Sequence, residues 1–85
     1  MAIKNKVKYY RNKYNITQEE LANEIHKSKQ YISKIENQNI NIGIEMAIIL
    51  TNSIRDLTRK KSFGLQTIRL HVEDIFYIDN IENNS

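Results

Sequence analysis

Apolar residues in this chain recur at three- and four-residue spacing for most of its length, then alternate near the end. Leu21, Ala22 and Ile25, followed by Ile32 and Ile35, give two short amphipathic helices with one apolar face each. Thr17 with Glu20 three residues on forms a capping box, so the first of these helices runs from Thr17 to near Ile25. His26-Lys27 makes the turn, and Ser28 is a suitable N-cap for the next helix, which reaches about Asn37. Upstream, Ile3, Val7, Tyr10 and Tyr14 predict a helix over about residues 2–13, with Lys4, Lys6, Lys8, Arg11 and Lys13 on its other faces. Downstream, a polar linker from Gln38 to Asn41 leads to a fourth helix starting near Gly43 or Ile44. Its packing face is Ala47, Ile48, Leu50, Thr51 and Ile54.

Beyond Ile54 the pattern changes. Leu57 carries the apolar face of the fourth helix to about Lys60, although the same segment also suits the first strand of a hairpin turning at Ser62-Phe63-Gly64. Gln66, Ile68, Leu70 and Val72 alternate with Thr67, Arg69 and His71, which predicts a strand over 65–71. Val72 to Ile78 is apolar enough to dock on the domain, and Asp79 to Ser85 is expected to fray.

Eighty-five residues make one small domain with a thin core, burying roughly 60–65 % of the surface of its unfolded form. With no cysteine there is no disulfide, thiolate metal site or cysteine nucleophile. His26 and His71 lack ligand spacing, so no metal and no cofactor are expected. No apolar run reaches the length of a membrane span. The basic start lacks the apolar core of a secretion signal, so a cytoplasmic protein is expected. The net charge of +3 is unevenly distributed. Residues 1–61 hold twelve of the thirteen Lys and Arg against six acids, whereas residues 62–85 hold one against four. A basic body with an acidic end fits a polyanion-binding module whose end does something else, such as pairing with a second copy.

The outer face of the helix after Ser28 carries Lys29, Gln30, Ser33 and Lys34, whose donors match base edges in a DNA major groove. Arg55, Arg59, Lys60 and Lys61 form a basic cluster that is either a solvated helix end or a second phosphate-gripping element. There is no nucleophile elbow or glycine-rich phosphate loop, and the acids are scattered, so no enzyme is expected.

Taken together, Val7 and Arg11, the run Ile16-Thr17-Gln18-Glu19-Glu20-Leu21-Ala22, the segment Ser28 to Ile35 and the following Glu36-Asn37 resemble the lambda-repressor/Cro-type (XRE-like) helix-turn-helix family. The resemblance covers about residues 3–54, and Val72 to Phe76 resembles the family's short last helix. It implies a mainly all-α, four- to five-helix DNA-binding domain, to which the residue pattern beyond Ile54 adds a C-terminal insertion expected as a β-strand or hairpin. Residues 1–54 would be the helix-turn-helix part, and 55–85 the inserted segment and C-terminal arm of the same domain. It further implies base reading by Lys29, Gln30 and Lys34, with Ser33 a lesser contributor. Gln18, Lys27, Ser28, Asn37, Gln38 and Asn39 would meet the sugar-phosphate backbone. Arg11 and Glu36 resemble a structural ion pair. Two positions depart from the pattern: His26 and Gln38 stand where the family often has Gly. The fifteen or so residues from Arg55 to Arg69 have no counterpart.

The apolar residues Ile68, Leu70, Val72, Ile75, Phe76 and Ile78 exceed what a small domain must bury, and part of them is expected to form a two-fold interface. The expected function is therefore a sequence-specific DNA-binding regulator. It would be a repressor held as a homodimer on double-stranded DNA at a pseudo-palindromic operator, with no membrane and no small-molecule substrate. The alternatives are an antitoxin-type protein-binding module and a DNA-binding protein for plasmid or phage maintenance.

Overall fold

Helix 1 begins later than periodicity predicts, because its first residues are taken by a strand. In the computed structural model, which describes residues 3–65 and 68–78, β1 (Ile3–Asn5) precedes α1 (Val7–Lys13). Ile3 and Val7 fit a helical stripe, but a three-residue piece alternates equally well, and its partner lies at the far end of the chain. β1 pairs antiparallel with β2 (Phe76–Ile78), in the register Ile3 to Ile78, Lys4 to Tyr77 and Asn5 to Phe76. The Lys6 N–H donates to the Ile75 carbonyl (2.7 Å). Asn5 fixes the start of α1 by accepting from the Val7 N–H (3.1 Å) and donating to the Ile35 carbonyl (2.9 Å).

The next elements follow their local signals. Thr17 and Glu20 form the reciprocal capping box of α2 (Gln18–Glu24), and Ser28 Oγ accepts from the Tyr31 N–H to cap α3 (Lys29–Glu36). After Gly43, α4 (Ile44–Lys61) runs unbroken through residues 54 and 55. Its buried side is Ala47, Leu50, Thr51, Ile54 and Thr58, and the two threonine hydroxyls donate to the carbonyls four residues back. Ile48, expected on that side, is exposed.

The strand predicted over 65–71 does not form in its described part. Gln66 and Thr67 lie outside the described residues, and Ile68 to His71 joins no ladder, since β1 and β2 already pair with each other. Leu70 instead drops into the core, and α5 (Val72–Ile75) follows. The expected fraying of Asp79 to Ser85 concerns residues outside those described. One cluster unites Val7, Ile16, Leu21, Ile32, Ile35, Leu50 and Ile54 with Leu70, Ile75 and Phe76 from the C-terminal arm.

That cluster takes up half of the residues named for a two-fold interface. Leu70, Ile75 and Phe76 are buried in the chain's own core, because three short helices alone do not enclose the apolar side of α4. Ile68 and Val72 pack half-buried against the same core. Among the six residues named for the interface, only Ile78 is exposed.

Candidate nucleic-acid interface

Two buried residues hold α3 and leave one side of it free. Ile32 and Ile35 anchor it, so the i, i+4 pairs Lys29/Ser33 and Gln30/Lys34 fall on the outer side. Lys29, Gln30 and Lys34 are exposed. Ser33 is half-buried and its hydroxyl accepts from Asn37 Nδ2 at 3.4 Å. The structure thus brings together the four residues singled out for base reading, with Ser33 the least available.

The flanks of α3 are polar and exposed. Lys27 and Ser28 precede it, with the Lys27 ammonium 5.4 Å from the centre of the Tyr31 ring. Asn37, Gln38 and Asn39 follow it. Both flanking turns have the same geometry. His26 and Gln38 adopt left-handed φ values of 58° and 63°. The next amide in each turn reaches back to close the helix, Lys27 to the Ala22 carbonyl (2.9 Å) and Asn39 to the Lys34 carbonyl (2.8 Å). The turns therefore keep the shape that glycine favours, at the strain of a side chain in that region.

One carboxylate ties three helices together beneath this face. Glu36 accepts from Arg11 Nε (2.8 Å) and Nη2 (3.2 Å), and from Gln18 Nε2 (3.0 Å). Arg11 Nη1 also donates to the Ile16 carbonyl (3.0 Å), so the buried guanidinium spans the loop between α1 and α2. Gln18, singled out for a phosphate contact, points its amide N–H at Glu36 in this structure. It still lines a shallow cleft of about 710 Å³ with Asn12, Asn15, Thr17, Glu19 and Lys29. The amide, hydroxyl and ammonium groups there can donate to a phosphate oxygen, with the Glu19 carboxylate opposing it.

Sequence reasoning missed what the basic end of α4 does. Lys61 donates to Glu20 Oε1 (2.8 Å) and to the Asn15 carbonyl, and Lys60 pairs with Glu24 (3.2 Å). These cations brace α2. The hydrogen bond from Lys61, followed by that from the Thr17 backbone N–H, holds the Glu20 carboxyl below the ordinary carboxylate range. The acids at Glu20 and Glu24, one helical turn apart, were the available signal, but their partners lie 36 to 41 residues away.

The order of caps, turn and outward-facing α3 is matched by the Helix-turn-helix family model over residues 7–55. The chain belongs to the helix-turn-helix family. This membership bears out the lambda-repressor/XRE-type resemblance and places the protein among DNA-binding transcriptional regulators. It is 34 % identical over 80 residues to an uncharacterized HTH-type transcriptional regulator of Methanocaldococcus jannaschii, covering 94 % of this chain and all of that one. No solved structure matches. The family match ends within α4, which continues to Lys61. Among the described residues, no helix is long and apolar enough to cross a membrane.

Proposed function

We propose that this helix-turn-helix protein is a sequence-specific repressor that occupies a pseudo-palindromic operator as a homodimer in the cytoplasm. The observation that carries the reading is the outer side of α3, where exposed Lys29, Gln30 and Lys34 stand on a helix anchored by Ile32 and Ile35. A lysine ammonium donates to guanine O6 and N7, and a glutamine amide pairs two bonds with adenine. Lys27, Ser28, Asn37, Gln38 and Asn39 sit where the groove walls would pass and supply phosphate contacts, joined by Gln18 in the cleft beside α1. The modest positive charge, concentrated in residues 1–61, adds a sequence-independent attraction that weakens with salt. Two half-sites one helical turn apart would seat two copies of α3.

Selecting bound oligonucleotides from a random pool, then weighing the complex by native mass spectrometry, tests site, symmetry and stoichiometry together. Two inverted half-sites and two protein chains are expected. On the selected site, Lys29→Ala or Gln30→Ala loses about 1–3 kcal/mol and relaxes base choice at one position. An equal loss on random DNA overturns the base-reading role.

A further inference from the structure

The turn that follows α4 carries the most exposed apolar side chains of the described molecule. After α4, Phe63 is 93 % and Leu65 90 % exposed. Phe63 holds a left-handed φ of 55° because it closes α4 as His26 and Gln38 close α2 and α3, with the Gly64 amide reaching back to the Arg59 carbonyl (2.8 Å). An aromatic and a leucine left almost wholly solvated side by side at one helix end form an apolar tip free to meet something outside the chain.

The same chain carries a suitable receptor at the other end of α4. A groove of about 220 Å³ lies between Ile42, Gly43 and Ile44 on one side and Val72, Tyr77 and Ile78 on the other. Tip and groove are separated by α4, an 18-residue helix roughly 27 Å long. Their borders have opposite charge. Glu45 and Glu73 beside the groove form no ion pair among the described residues, and Arg59 near the tip has only a loose, exposed contact with Asp56 (3.3 Å). The exposed side of α4 joins the two ends through Ile44, Ile48, Asn52, Arg55 and Arg59.

On these grounds, and resting on the homodimer reading above, we infer that two copies pair through antiparallel α4 helices about a two-fold axis at Asn52, each Phe63–Leu65 tip seated in the other's groove. The register follows from position alone. Glu45 and Arg59 each lie seven residues from Asn52, so the axis sets each against the other in the partner copy. Phe63 lies eleven residues beyond Asn52, while Ile42 and Gly43 lie ten and nine before it, so the same axis brings the tip to the groove. Both contacts form twice, which closes the assembly as a dimer and leaves no repeating end.

Sedimentation of the full chain tests this, with circular dichroism to confirm that each variant folds. Phe63→Ser, at a solvated position, is expected to raise the dimer dissociation constant about tenfold or more. Glu45→Arg and Arg59→Glu each weaken the dimer, and the two together restore it. A wild-type dimer indifferent to Phe63→Ser, or a double swap no better than the single ones, overturns this surface and leaves the homodimer standing. A wild-type chain that is monomeric both free and on DNA overturns both.

Discussion

Among single residues, Glu36 has the widest reach. Its carboxylate is buried with Arg11 and also receives Gln18, so removing it leaves a desolvated guanidinium and frees α1, α2 and α3 at one point. Glu36→Ala is expected to cost about 3–5 kcal/mol in urea unfolding, whereas Arg11→Met with Glu36→Leu, which removes both charges, costs much less. The left-handed helix ends have smaller and opposite consequences. His26 and Gln38 close α2 and α3 where a glycine would relax the backbone. His26→Gly should therefore be neutral or stabilising by up to about 1 kcal/mol, read from the thermal midpoint. Thr17 and Ser28 were legible as caps because a cap is a local event. The Arg11–Glu36 pair was legible only through family resemblance, and the attachment of Gln18 to it was not legible at all. Nothing in residue spacing says that residues 11, 18 and 36 converge.

Among elements, α2, α3 and the length of α4 followed from periodicity and capping, since each buries a stripe that its own sequence defines. The described part of the strand predicted over 65–71 joins no ladder for the opposite reason. Alternation marks extended chain, but a strand needs a neighbour, and the available one is β1 pairing with β2. The brace from α4 to α2 has a measurable signature in acid. Because Lys61 and the Thr17 amide lower the folded pKa of Glu20, its contribution to stability is complete above the unfolded value of about 4.3 and disappears as pH falls through the folded one. Replacing Lys61 with Met should lower stability at neutral pH slightly, because the pair is solvated. It should also flatten the decline of stability below about pH 4.3 in denaturant titrations.

For the whole molecule, the decisive observation is that the C-terminal arm belongs to the core. Leu70, Ile75 and Phe76 are three of its members, and each such loss costs about 2–5 kcal/mol against a total of about 5–15. Deleting residues 70–85 should abolish cooperative unfolding by circular dichroism and leave no folded monomer to weigh. The apolar excess at the end of the chain was visible in the sequence, but its destination was not. Apolar residues that complete a core and those that meet a second copy have the same composition.

The pairing of Ile3–Asn5 with Phe76–Ile78 also constrains the order of assembly. The α2–α3 unit makes its contacts within about twenty residues and can form early, before most of the chain has been synthesised. The first strand has no mate until some seventy further residues have left the ribosome. Until then Val7 and the apolar sides of the helices lack their last cover. A stalled or clipped nascent chain of this protein would therefore be sticky, not merely short.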